Sequence, residues 1–535
     1  MSRRAIVLLA FTAVLALPAA ARAGDRALPM VLPGAATVST APAERSSWIV
    51  GARPGRPAAV LARRFGARHT GVTGTGGYVV ARNHARAFAA ALRAHGLLVY
   101  AQPHTLARPR AVADDPLSGP PNDWRAKVAE RELDPPPVTP TSPLIALVDA
   151  AAEATHPEWT GDPNFRTLGG PPVTETHGTA TAAIAAAPAN GIGILGVWPG
   201  ARALNVPLAG ELISCQASAD AIAEAVRQGA AVINLSYGSR ALCMPEYVAL
   251  QYAVGQGVIP VAAAGNEFAE GNPLEFPASL PHVLTVAATD DRDRAAYFSS
   301  ASAAVDLSAP GVGILTAVPP GLDNDGVQDG YAAVSGTSFA APMVSAAVAW
   351  VRAARPRLAP DQVAQVVRRS AHDIRPKGWD PNTGYGILDV KAALRRRPPR
   401  HDPLEPNDNL VWVNGRAFAR RDPAIWTGGK PRRLRASVDR YEDPADVYRI
   451  IIPAHATARI SAVPTLGDID LGVYARNATA LTDTGHRLAY SHKHGRATER
   501  LSVRNASPNP RSFYLAIRPQ GTRSLDAAYT LRIRR

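Results

Sequence analysis

Five apolar runs of strand length, none with a polar face, constrain this chain more than any other feature. Residues 144–148, 203–206, 231–235, 258–263 and 283–286 are mostly apolar along their whole length, so neither side of these strands is suited to water. Helical stretches, 217–229 and 245–257 among them, lie between the runs. Strands of this kind belong to a parallel sheet covered on both faces, so the middle of the chain is predicted to be α/β with helices packed on either side. Such sheets bind ligands beyond the carboxyl ends of their strands. The residues that follow each run are therefore the ones to read for chemistry.

Asp149 comes directly after the first run, and Asn266 follows Ala262-Ala263-Ala264-Gly265 at the end of another. His177 opens His177-Gly178-Thr179 ahead of a small-residue helix. Ser338 lies in Ser335-Gly336-Thr337-Ser338-Phe339-Ala340-Ala341-Pro342, which runs into an apolar stretch ending at Val351. Pro342 falls in the first turn, where its missing N–H costs little, so the helix is predicted to begin near Ser338. The hydroxyl then sits beside free N–H groups and the positive end of the helix dipole, which suits a nucleophile whose product state is an oxyanion. Each residue alone has a plainer reading: a helix cap for Ser338 or His177, a strand-end cap for Asp149, a turn residue for Asn266. The four together have the composition that acyl transfer demands. A serine hydroxyl needs an imidazole to take its proton, the imidazole needs a carboxylate to orient it, and an amide N–H can hold the oxyanion. The order acid, base, nucleophile differs from that of α/β-hydrolases and of the chymotrypsin class, and Gly336-Thr337-Ser338-Phe339-Ala340 lacks the second glycine of a nucleophile elbow.

These motifs resemble those of the subtilisin-like serine proteases (subtilases). The resemblance rests on Val148-Asp149 with Thr155-His156-Pro157-Glu158, on His177-Gly178-Thr179, on Val232 through Gly238, on Ala262 through Asn266 and on Gly336 through Pro342. It implies peptide-bond hydrolysis with Ser338 as nucleophile, His177 as general base and acid, Asp149 as orienting carboxylate and Asn266 in the oxyanion hole. It also implies that Ser236, Tyr237, Gly238 and Ala263, Ala264, Gly265 pair with substrate as added strands. Two departures stand out. Ala150-Ala151 replaces a small hydroxyl residue and glycine, and Ala180-Thr181-Ala182-Ala183 follows where a second histidine and a glycine are common. Loss of the hydroxyl would loosen the hold on Asp149, so a catalytically silent binding protein of the same fold is the alternative.

At 535 residues the chain is too long for one core. Residues 1–23 read as a signal peptide and 24–45 as a flexible lead, which predicts a secreted, extracellular protein without a membrane anchor. Residues 46–108 carry a βαββαβ pattern, with strands at 47–50, 71–72, 77–80 and 97–100, and their position suggests a propeptide. By the resemblance, that segment acts as an intramolecular inhibitor of a zymogen that cuts itself between 105 and 125. A proline-rich and acidic linker, 109–143, leads into a catalytic domain at 144–397. Residues 398–535 show short strands of period two and are predicted to form a β-sandwich. They resemble the bacterial pre-peptidase carboxy-terminal domain, which implies an accessory role.

The net charge is +14, yet the arginines are scattered and few aromatics are interleaved with them, so a solvated basic surface is expected and no nucleic-acid partner. Protein or peptide substrates, the chain's own propeptide and a monomeric state are the expectations. Cys215 and Cys243 are the only cysteines; one bridge between them and two buried thiols are the alternatives. No cofactor is expected. Asp323-Asn324-Asp325-Gly326 with Asp329 offers oxygen ligands, but its spacing fails the calcium-loop rule and a solvated turn is preferred, structural calcium not being readable. Glu275, before Phe276-Pro277-Ala278, is either a surface carboxylate on a longer loop or, by the resemblance, part of the first specificity pocket, favouring a basic residue before the cut bond.

Overall fold

The computed structural model describes residues 43–70, 76–105, 115–119, 123–129, 133–210, 212–402, 404–415, 422–520 and 526–535. The predicted signal peptide, most of the flexible lead, the strand expected at 71–72 and parts of the linker with its processing region lie outside these residues. Two compact units are present, 1–111 and 112–535.

In the first unit β1 (Ala43–Ala52), α1 (Arg56–Arg64), β2 (Arg68–His69), β3 (Gly77–Ala81), α2 (Arg82–Ala94) and β4 (Leu98–Thr105) form an antiparallel sheet in the order β2-β3-β1-β4. Its core is Val50, Tyr78, Val80, Phe88 and Leu92, so both helices cover one face. The βαββαβ order matches the pattern read from the sequence.

The second unit begins with α3 (Trp124–Ala129) and continues through β5 (Leu144–Asp149), β6 (Phe165–Thr167), α4 (His177–Ala186), β7 (Ala203–Pro207), α5 (Cys215–Arg227), β8 (Ala230–Leu235), α6 (Met244–Gly255), β9 (Ile259–Ala263), β10 (Leu284–Thr289) and β11 (Val305–Pro310). The seven strands form one parallel sheet in the order β11-β10-β9-β8-β5-β7-β6. Successive side chains on a strand point to opposite faces, and here each face has its own core. Ile145, Leu147 and Val232 pack with α4 and with α7 (defined below), whereas Leu144, Ala146, Val148, Ile233 and Leu235 pack with α5 and α6. This is why those runs show no polar face.

A hairpin of β12 (Ile314–Ala317) and β13 (Tyr331–Val334) leads into α7 (Thr337–Ala354), whose buried flanks include Met343, Val344, Trp350 and Val351. Next come α8 (Pro360–Arg369) and α9 (Val390–Arg395). Cys215 and Cys243 form a disulfide with Cα atoms 5.6 Å apart, tying the starts of α5 and α6 together.

After the short α10 (Leu410–Val413) the chain forms β14 (Arg432–Asp439), β15 (Asp446–Ile452), β16 (Thr457–Leu466), β17 (Asp468–Ala475), β18 (Arg487–Ser491), β19 (Glu499–Arg504), β20 (Arg511–Gln520) and β21 (Asp526–Arg534). Two antiparallel sheets, β14-β21-β16-β19 and β15-β20-β17-β18, enclose a core of Tyr448, Ile450, Ile460, Leu471, Leu515 and Leu531. The predicted sandwich is present, built from these eight strands. It joins the α/β core through Arg368 of α8. That buried guanidinium lies 2.8 Å from Asp306 of β11, 3.1 Å from Asp439 and 3.7 Å from Asp526.

Candidate active site

Asp149 ends β5 and is buried. Its Oδ1 lies 2.6 Å from His177 Nδ1 and accepts the Ala150 N–H at 2.7 Å. Its Oδ2 accepts the Thr181 hydroxyl at 3.0 Å. Thr181 sits one helical turn after His177 and so shares its face of α4. The hydroxyl absent after Asp149 is thus supplied from the helix, and the expected slackening is not seen. Asn205 of β7 fixes the same loop, its Oδ1 accepting Ala152 N–H at 3.1 Å and its Nδ2 donating to Ala150 O at 2.9 Å. A Cβ on Gly178 would lie 2.1 Å from Ala150 O, so only glycine lets α4 come this close.

Burial alone would lower the His177 pKa; the charge and hydrogen bond of Asp149 outweigh it, and the net shift is upward. With Nδ1–H directed at Asp149, the neutral ring keeps Nε2 as its proton acceptor.

Ser338 is the second residue of α7. It is stitched to the end of β8: Ser236 Oγ donates to Ser338 O at 2.7 Å, Asn234 Nδ2 donates to Ser236 Oγ at 2.9 Å, and Ser345 Oγ donates to Asn234 Oδ1 at 2.9 Å. The His177 ring lies 5.4 Å from that of Phe339, the neighbour of Ser338. The Ser338 hydroxyl donates to Ser236 O at 3.1 Å, not to the imidazole.

Asn266 follows β9. Its Oδ1 accepts both the Thr337 N–H at 2.9 Å and the Thr337 hydroxyl at 3.0 Å. With its oxygen held on Thr337, the Asn266 amide nitrogen lies by the start of α7, 3.6 Å from the Cβ position of Gly336.

The proposed substrate segments differ from one another. Gly238 is exposed and its backbone makes no hydrogen bond among the described residues, so it is free to pair. Tyr237 turns its hydroxyl away to Ser218 at 2.7 Å and Glu246 at 3.2 Å. On the other side Ala263 and Ala264 are buried, Ala264 N–H is already bonded to Val286 O, and Gly265 has φ 105°.

Glu275 is 6% exposed, which excludes a surface carboxylate. Its Oε2 lies 3.0 Å from the Cβ position of Gly238, and its Cγ lies 2.7 Å from that of Gly265. It therefore stands between the two segments that run from the serine and from Asn266. Burial raises its pKa, the Glu267 charge adds to the rise, and Arg240, with Nε 4.0 Å away, opposes it.

Asp323 is buried and accepts Gly330 N–H at 2.8 Å, while Asp325 and Asp329 cap their own loop. Two other clusters, His282 with Glu405 and Asp408, and Asp402 with Glu405 and Asp446, bring their ligand atoms within 4.8 Å. The second offers carboxylate oxygens alone, which suit a hard divalent cation, the first adds an imidazole, and neither includes Asp149, His177 or Ser338.

Thr181, Asn205, Asn234, Thr337 and Ser345 escaped notice as functional positions. Only Thr181 had a readable signal, its spacing of four from His177.

The family profile described as "Subtilase family" matches residues 144–386. Subtilisin from Bacillus pumilus is 30% identical over 259 residues, which cover 47% of this chain and 90% of that protein. Fervidolysin from Fervidobacterium pennivorans is 32% identical over 305 residues, 50% of this chain and 42% of that protein. The crystal structure of fervidolysin aligns with a TM-score of 0.45 and 19% identity, covering 87% of this chain and 86% of that one. The chain belongs to the subtilase family. In the sequence matches it spans less than half the length of fervidolysin and 58% of alkaline elastase YaB from a Bacillus species.

Proposed function

We propose that this protein is a secreted serine endopeptidase that cuts peptide bonds through an acyl-enzyme. The hydrogen-bonded Asp149–His177 pair beside the helix start that carries Ser338 is the observation on which this rests. Ser338 Oγ attacks the scissile carbonyl carbon while His177 Nε2 takes the hydroxyl proton. The oxyanion is held by Asn266 Nδ2 and the Ser338 N–H. The C–N bond then breaks as His177 returns the proton to the leaving amine. Water repeats the sequence on the ester, releasing the acid and restoring Ser338. Asp149, held by Thr181, keeps the imidazole in the right tautomer and favours its charged form.

Substrate pairs with Gly238 as an added strand. Glu275 between the two walls favours a lysine or arginine before the cut bond, with Arg240 displaced by the incoming cation. Residues 46–108 act as an inhibitory propeptide, removed by self-cleavage between 105 and 125, and 398–535 serve as an accessory pre-peptidase domain. The hydroxyl of Ser338 facing Ser236 O is the observation that favours a catalytically silent protein. Hydrolysis of unfolded protein by the wild type but not by Ser338→Ala or His177→Ala decides between the two. Equal turnover by all three, or none by the wild type after processing, rejects the peptidase. Amino-terminal sequencing of the secreted product tests the zymogen, and an active enzyme starting at residue 24 refutes it.

A further inference from the structure

Arginines that are dispersed along the sequence are gathered by the sandwich onto one face. In the sheet β14-β21-β16-β19, one side of each strand supplies the core through Leu434, Leu531, Ile460 and Val503. The opposite side carries Arg433 and Arg435 on β14, Arg532 and Arg534 on β21, Arg459 on β16, and Arg500 and Arg504 on β19, all exposed. The register makes them neighbours. Arg433 lies opposite Arg532, Arg532 opposite Ser461, and Ser461 opposite Arg500; Arg534 lies opposite Arg459. Like charges directly across a ladder are destabilising, yet none of the seven has an ion pair among the described residues. The carboxylates on this side, Asp439 and Asp526, sit at the far end of the strands and are taken by Arg368 and Arg369 of α8. Arg396, Arg397 and Arg400 line, with Arg433, Arg435 and Arg532, a cleft of about 970 Å³ whose lining also holds carboxylates, Asp361, Asp402, Glu442 and Asp443 among them. The charges of Arg433 and Arg400 lower the pKa of Arg435, the mark of cations crowded without an anion.

The geometry points to a binding site on this sheet face for a linear anionic polysaccharide carrying sulfate or carboxylate groups. Guanidinium forks match such groups in a bidentate way. Strands spaced about 4.8 Å apart place Arg433 and Arg500 roughly 14 Å from each other, so an extended polymer meets several arginines at once. Between them the exposed or half-exposed Thr457, Ser461 and Ser502 offer hydrogen bonds to sugar hydroxyls. Among the described residues, the outward positions of these four strands carry no aromatic side chain on which bases could stack. The site is independent of the peptidase chemistry.

The test measures binding of the full chain to a heparin fragment, with neutral dextran and duplex DNA alongside, over a range of salt. The variant Arg433→Gln/Arg500→Gln/Arg532→Gln is compared with Arg292→Gln/Arg357→Gln/Arg375→Gln, which removes the same charge from exposed positions elsewhere. Expected are heparin binding by the wild type, at least a tenfold loss with a shallower salt dependence in the first variant, and less than a twofold change in the second. Equal losses in both variants, absence of heparin binding, or duplex DNA bound as tightly through the same three arginines would each overturn the proposal. The substituted side chains are exposed, and relief of the Arg433–Arg532 repulsion leaves the unfolding temperature unchanged or higher. If the triple variant fails to fold, the three single substitutions carry the same comparison.

Discussion

Replacing Glu275 by Gln keeps its size, leaves Glu267 beside Gly265, and removes the carboxylate that lies against both Gly238 and Gly265. Its nearest cation, Arg240 Nε, lies 4.0 Å away, which shows how close a positive group can come. Two unit charges about 4 Å apart interact by about 4 kcal/mol at the effective dielectric of a protein surface. Desolvating the incoming cation and ionising a carboxyl whose pKa burial has raised take back part of this. A net ~2–3 kcal/mol corresponds to roughly 30- to 150-fold in kcat/KM. Peptide amides with Arg, Lys, Phe or Leu before the cut bond measure it, with enzyme normalised by titration of active serine. The Arg and Lys substrates should lose that factor in Glu275→Gln, while Phe and Leu hold or gain. In the wild type the basic preference should strengthen as pH rises and Glu275 ionises. An Arg-to-Phe ratio that Glu275→Gln leaves unchanged would refute the reasoning.

Thr181→Val removes the hydroxyl that Asp149 Oδ2 accepts. A hydrogen bond to a charged group contributes ~1.5–3 kcal/mol, so kcat/KM should fall about 10- to 100-fold while Thr181→Ser retains most activity; kinetics on both variants checks this. Arg368→Met leaves Asp306 and Asp439 buried without their cation and should cost about 3–5 kcal/mol of stability, read by denaturant unfolding. Burial raises the Glu158 carboxyl to about 8 despite hydrogen bonds from Tyr331 and Ile194 N–H. Because its folded pKa lies above its ordinary 4.5, the native state binds the extra proton between those values, and stability falls as pH rises across that window. Melting curves should show a weaker alkaline decline in Glu158→Gln than in the wild type.

The sheet was legible because each strand faces two cores: Ile145 and Leu147 look one way, Leu144, Ala146 and Val148 the other, and all are apolar. β6 and β11 were missed: Phe165–Thr167 is three residues at one sheet edge, too short for any periodicity, and Val305–Pro310 at the other edge is interrupted by Asp306 and Ser308. Asp149, His177 and Ser338 stood out in the sequence because each sits at an element boundary, where side chains leave the core. The groups that hold them did not. Asn205 and Asn234 lie inside strands, where an amide reads as an interruption of the apolar run, and their partners are 55 residues away at Ala150 and 111 away at Ser345. Glu275 could be read as surface or pocket because its carboxylate packs against Gly238, which precedes β9 and lies well before it in the chain. The arginines looked dispersed for a similar reason: Arg433 and Arg532 are far apart along the chain but opposite each other in the ladder.

The central claim is that Ser338 is a nucleophile activated by His177, and labelling by a fluorophosphonate tests it most directly. Peptide mass mapping should find the adduct on Ser338 in the wild type, formed far more slowly in His177→Ala and absent from Ser338→Ala. An unlabelled wild type, or an adduct carried by another residue, would contradict the account.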